Sequence, residues 1–147
     1  FFENPALIAA FDSAIEKGKT IHLMGLVSDG GVHSHMDHLK ALVRMAADRG
    51  ASRVLVHAFL DGRDVPPQSG QAYMQELVDF LNTVDLTFGH PEIGTIMGRY
   101  FAMDRDNRWD RVERAYMPLV WATEAAFAQI QISLVHHVTD DVGVTRV

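Results

Sequence analysis

Thr20-Ile21-His22-Leu23-Met24-Gly25-Leu26 is the run whose reading decides the fold. It opens on two β-branched residues, is largely apolar and is only about seven residues long, which predicts a buried strand. Before it, Asn4-Pro5 supplies a cap and a proline tolerated in a first helical turn, and Leu7, Ile8, Phe11 and Ile15 recur on one helical face. Lys17, Gly18 and Lys19 suit the end of that helix. After it, residues 36–49 predict a second helix with a stripe of Leu39, Leu42, Val43 and Ala46, stopped by Gly50. Residues 53–60 then predict a second strand.

The same alternation continues. Ser69 is placed to cap a third helix whose face is Tyr73, Leu77, Phe80 and Leu81. Residues 82–91 connect it to a third strand over 92–97, and Gly98-Arg99-Tyr100 opens a polar loop. Asp106 is placed to cap a fourth helix carrying Trp109, Val112 and Tyr116, ending near Pro118. Strands alternating with helices predict an α/β fold, a three-layer α/β/α arrangement with a mainly parallel sheet and crossover helices. Beyond Pro118 the pattern weakens to a helix over 122–131 and a strand over 132–138.

The 147 residues are about one domain's worth, so 1–147 is expected to be a single domain. With 48% of residues apolar the chain can bury a core, and a net charge of −6 argues against a general nucleic-acid surface. There is no cysteine, hence no disulfide framework and no thiolate site. No apolar run reaches the length of a membrane span, and no signal-peptide pattern is present. A cytoplasmic location is the expectation. The opening Phe1-Phe2, without methionine, predicts a processed or partial chain.

In open parallel sheets ligands bind beyond the carboxyl ends of the strands. The loops leaving the three strands, 28–38, 61–67 and 98–106, should therefore share one rim. They hold Asp29, His33, His35, Arg63, Asp64, Arg99 and Arg105. Three arginines at strand ends of an acidic protein predict a local site for phosphate or carboxylate, which guanidinium groups grip in a bidentate way. The competing reading pairs Arg63 with Asp64, and Arg105 with Asp104 or Asp106, as ordinary ion pairs. A different chemistry is suggested by His33-Ser34-His35-Met36-Asp37-His38, an H-x-H-x-D-H string like that of metallo-β-lactamase-type hydrolases. Asp37 and His38 fall in the first turn of the second helix, however, where an aspartate simply favours the dipole.

Three blocks carry a family resemblance: residues 28–35 (Ser-Asp-Gly-Gly-Val-His-Ser-His), 57–64 (His-Ala-Phe-Leu-Asp-Gly-Arg-Asp) and 98–111 (Gly-Arg-Tyr-Phe-Ala-Met-Asp-Arg-Asp-Asn-Arg-Trp-Asp-Arg). In this order they closely resemble the cofactor-independent phosphoglycerate mutases, across about residues 1–120. The resemblance implies an isomerase of the alkaline-phosphatase superfamily that interconverts 3-phosphoglycerate and 2-phosphoglycerate through a phosphoserine. It implies a phosphatase domain holding two manganese ions, and an inserted phosphotransferase domain that grips the glycerate, to which this chain corresponds. Substrate-binding roles then fall to His33, Arg63, Asp64, Arg99 and Arg105, with Asp64 as the general base. No metal is expected in this chain. The nucleophilic serine, the metal ligands, and a later arginine pair and lysine have no counterpart here, and the match over 121–147 is poor. The chain alone is therefore expected to be inactive, with the phosphatase domain of the same enzyme as its partner. The alternatives are a metallo-hydrolase built on the histidine string, or a non-catalytic module binding a phosphorylated ligand.

Overall fold

The computed structural model describes residues 1–120; the helix expected over 122–131 and the strand over 132–138 lie outside the described residues. The elements run α1 (Pro5–Glu16), β1 (Ile21–Val27), α2 (Met36–Asp48), β2 (Val54–Leu60), α3 (Gly70–Leu81), β3 (Glu92–Gly98), α4 (Arg99–Ala102) and α5 (Trp109–Val120). The three strands form a parallel sheet in the order β1-β2-β3. The expected α/β alternation is thus what forms.

Register explains where the core sits. Ile21 pairs with Val54 and Val27 with Leu60, so the strand alternation turns Ile21, Leu23, Val27, Val54, Val56 and Ala58 to one face. That row is buried with Phe11 of α1, Val43 and Ala46 of α2, and Leu77 and Leu81 of α3. Successive right-handed crossovers along a sheet of this order put α2 and α3 on the same side. Leu26 and Met97 point to the other face. They are buried outside this core, as is Ala115 of α5. α4 and α5 pack on β3, and α4 also on β2.

On that second face lies a polar string at mid-strand. The His57 ring, 5% exposed, meets Thr95 Oγ1 through Nδ1 and His22 Nδ1 through Nε2, both at 2.9 Å. The two imidazoles stack 11° from parallel. His57 is a buried, hydrogen-bonded strand histidine, whereas His22 is bonded but exposed. The strand register shifts beside His57 and skips Gly94, where a Cβ would stand 2.9 Å from the His57 ring. Glycine and bulge together make room for the imidazole. Burial and the neighbouring His22 hold the His57 pKa below the usual histidine value.

Local capping differs from expectation in two places. Asn4 caps α1 as expected, its Oδ1 accepting from the N–H groups of Ala6 and Leu7. Ser69 does not cap α3: its hydroxyl donates instead to the Pro66 carbonyl at 2.7 Å. Asp106 does not cap the last helix either. Asp104 does the equivalent work, accepting from the N–H groups of Asp106 at 3.2 Å and Arg108 at 2.9 Å, while Asn107 turns the chain at φ 59°. The stretch after Gly98, expected as loop, coils into α4. α5 continues through Pro118 to Val120 and leaves Trp109 and Tyr116 exposed, so its buried contact is Ala115. Pro118 has no N–H to donate to the preceding turn, and the helix runs on past it.

Candidate functional site

Ser28 follows β1, Asp61 follows β2, and Arg99 follows β3 at once; all three are strand-end residues. Asp61 begins an Asp-Gly turn, and aspartate in such a turn bonds the backbone just ahead of it. Its Oδ1 accepts from the N–H groups of Gly62 (2.8 Å), Arg63 (3.0 Å) and Asp64 (3.1 Å). The same oxygen receives Arg99 Nη1 at 2.9 Å, and Oδ2 receives the Ser28 hydroxyl at 2.8 Å. Arg99 Nη1 also reaches Asp64 Oδ2 at 2.7 Å. One buried carboxylate therefore ties all three strand-end loops together. Its side chain is 1% exposed, while those of Asp64 and Arg99 are 13% and 15% exposed.

The first loop is drawn in by close contact. A Cβ on Gly30 would stand 2.9 Å from the Asp64 Cβ and 3.3 Å from its carbonyl oxygen, so only glycine lets this backbone approach. Asp29 beside it accepts a hydrogen bond from the Tyr73 hydroxyl of α3, which pushes the tyrosine pKa up. The Ser28 carbonyl accepts from Met36 N–H, and the Ser34 hydroxyl donates to the Leu26 carbonyl, both at 2.9 Å. The loop is thus fastened at both ends.

The electrostatics follow from this geometry. Burial opposes charge on Asp61, but the N–H groups of Arg63 and Asp64, with Arg99 and Ser28, outweigh it and hold the carboxyl well below the usual range. Burial likewise works against the Arg99 charge, and Asp64 and Asp61 more than compensate, raising its pKa. Asp61 and Asp64 are therefore a carboxylate pair sharing one guanidinium.

Of the five site residues expected from sequence, Asp64 and Arg99 are joined directly. Arg63 contributes its backbone to the Asp61 turn and leaves its side chain exposed; Arg105 and His33 are exposed on the two other loops. Neither alternative ion pair forms. Asp64 takes Arg99 rather than Arg63, and Asp104 takes Arg111 at 3.4 Å rather than Arg105. Arg111 also lies 3.9 Å from the Tyr100 ring centre. Among the described residues the Arg63 and Arg105 side chains make no ion pair, which leaves two cations beside the carboxylate cluster's loops. Sequence reasoning passed over Ser28 and Asp61. The signal for Asp61 was the Asp-Gly pair directly after a strand.

The histidine string is arranged differently from a metal centre. His35 is the N-cap of α2, its Nδ1 accepting from Asp37 N–H at 3.1 Å. The His38 ring lies against Phe1, with centroids 5.1 Å apart. Among the described residues, no three His, Asp or Glu side chains are grouped to hold a metal ion.

Comparison with known proteins places this geometry. Residues 1–145 match the family described as BPG-independent PGAM N-terminus. The chain is 49% identical over 145 residues to the 2,3-bisphosphoglycerate-independent phosphoglycerate mutase of Clostridium tetani, covering 96% of this chain and 28% of that protein. It is 56% identical over 116 residues to the enzyme of the same name from Cronobacter sakazakii, covering 79% and 22%. Among solved structures it is similar to the Leishmania mexicana phosphoglycerate mutase crystallised at low cobalt concentration. The TM-score there is 0.63 at 35% identity, over 76% of this chain and 24% of that one. The chain thus spans about a quarter of the length of the curated relatives it matches.

Proposed function

The chain belongs to the BPG-independent phosphoglycerate mutase N-terminus family, and from that premise we propose that it supplies the glycerate-binding wall of a mutase interconverting 3-phosphoglycerate and 2-phosphoglycerate. The observation that carries the proposal is the strand-end cluster: Asp64 paired with Arg99, flanked by loops that leave Arg63 and Arg105 exposed. Phosphoryl transfer rests chiefly on positioning and charge neutralisation, which such a rim provides. In this reading Arg63, Arg99 and Arg105 grip carboxylate and phosphate oxygens. His33 hydrogen-bonds the phosphate or a hydroxyl. Asp64 accepts the proton of the attacking hydroxyl.

The family resemblance implies two manganese ions, and in this reading they belong to the phosphatase domain, the partner of this one. The serine that carries the phosphoryl group belongs there too. A cytoplasmic location accompanies the proposal; among the described residues no helix is long and apolar enough to cross a membrane.

The test uses the longest natural polypeptide that carries this chain, assayed for mutase turnover. Arg63→Ala and Arg105→Ala should each lower kcat/KM by about tenfold or more, roughly 1.4 kcal/mol of transition-state stabilisation. Normal turnover in both variants would remove the site assignment. The 147-residue chain by itself should bind 3-phosphoglycerate in a calorimetric titration without converting it.

A further inference from the structure

We propose that Asp61 is the positioning residue of this site, acting on substrate only through Arg99 and the Arg63–Asp64 segment. The inference rests on the reading of the rim as a phosphoglycerate site. Asp61 cannot itself be a ligand: its side chain is 1% exposed, and its two oxygens already accept five hydrogen bonds. A carboxylate has about four lone-pair sites, so Asp61 has no acceptor capacity left for a substrate.

What it does instead is set directions. Three of its bonds fix the backbone of Gly62, Arg63 and Asp64, and thereby the points from which the Arg63 and Asp64 side chains leave the chain. A fourth holds Arg99 Nη1, and a fifth holds Ser28 at the root of the loop that carries His33. Four of the five expected site residues thus take their placement from one carboxylate. Arg99 also lies between two acceptors, Asp61 at 2.9 Å and Asp64 at 2.7 Å. Without the charge at 61, Asp64 becomes the sole counter-ion of Arg99, and the guanidinium is drawn toward the base. A displacement of about 1 Å at a reacting group costs on the order of a hundredfold in rate.

Asp61→Asn is the informative change. The amide oxygen can still accept from the turn, its NH₂ can donate to Ser28 Oγ, and the volume is unchanged, so the turn persists while the charge is lost. Asp61→Ala serves only as the extreme case, because it strips the turn of its acceptor. Two measurements are made. The first follows the Arg99 side-chain NMR signals in the unliganded 147-residue chain, where the variant should shift and broaden them. The second measures mutase kinetics in the longest natural polypeptide carrying the chain, at a temperature where circular dichroism shows variant and parent equally folded. There Asp61→Asn should lower kcat at least tenfold and change KM by less than threefold, since the exposed Arg63 and Arg105 still bind the ground state. Unchanged Arg99 signals, or kcat within threefold of the parent, would overturn the positioning role. A parent polypeptide without mutase activity would remove the phosphoglycerate reading alone, and the Arg99 signals would still decide whether Asp61 positions it.

Discussion

Two polar networks cross this sheet, and they differ in what they leave over. At mid-strand, His57 is closed between His22 and Thr95, and every polar atom of the buried ring is bonded. At the strand ends, Asp61 closes a denser network, yet the loops it fastens carry Arg63, Arg105 and His33 outward with their side chains exposed. Neither network leaves a buried side-chain polar atom without a partner among the described residues. A network that consumes all its groups holds a fold together. One that is satisfied within and leaves cations at its edge can hold a ligand as well.

The sharpest way to break that comparison is His57→Ala. It deletes a buried ring and two hydrogen bonds, and should cost about 2–4 kcal/mol in denaturant unfolding. The affinity for 3-phosphoglycerate should not change. A loss of affinity in step with stability would mean the two networks are one. Gly30→Ala probes the other side. Its Cβ has no room against Asp64, so about 1–3 kcal/mol of stability should be lost, here together with about tenfold or more in affinity.

Removing the His35 cap from α2 by His35→Ala should cost about 1 kcal/mol, read from the melting midpoint. It should also leave the chain's metal content unchanged, whereas a metal centre on the histidine string would lose its ion. The smallest stability effects belong to Arg63→Ala and Arg105→Ala. These exposed changes should stay within about 0.5 kcal/mol while ligand affinity falls, the inverse of the His57 result.

A pH titration separates the networks differently. His57 is held below its ordinary value of 6.5, so the folded state binds fewer protons than the unfolded chain as pH drops. Its contribution to stability is therefore complete above pH 6.5 and is lost as pH falls through the lowered folded value. Asp61 is also depressed, from an ordinary value of 3.8, and its contribution is lost only at more acid pH. The first loss of stability on acidification should vanish in His57→Leu, with the second retained. Equal losses in both proteins would assign the first step elsewhere.

Much of the fold was legible because its signals are local. Seven-residue apolar strands and the stripe of Leu39, Leu42, Val43 and Ala46 need no partner to be read, and they alternate in only one sensible way. The misreadings arose where two local choices were close in energy. Ser69 bonds backward to Pro66 instead of forward, and Asp104 takes the turn expected of Asp106. At the site, chain order was enough to put Arg63 and Arg105 in loops that follow neighbouring parallel strands. The pairing of Arg99 with Asp61 and Asp64 was not legible, since it joins residues 38 and 35 positions apart and depends on strand register. Likewise nothing in the sequence says that His57 will find Thr95 across a bulge.

The most direct test is a titration of the isotopically labelled chain with 3-phosphoglycerate, followed through its backbone amide signals. Saturable shifts should concentrate at Gly30, Gly62, Arg63, Asp64, Arg99 and Arg105, while Met24, His57 and Thr95 stay still. Saturable shifts centred on His57 and Thr95 with the strand ends unmoved would contradict the account, as would no saturable shift at all.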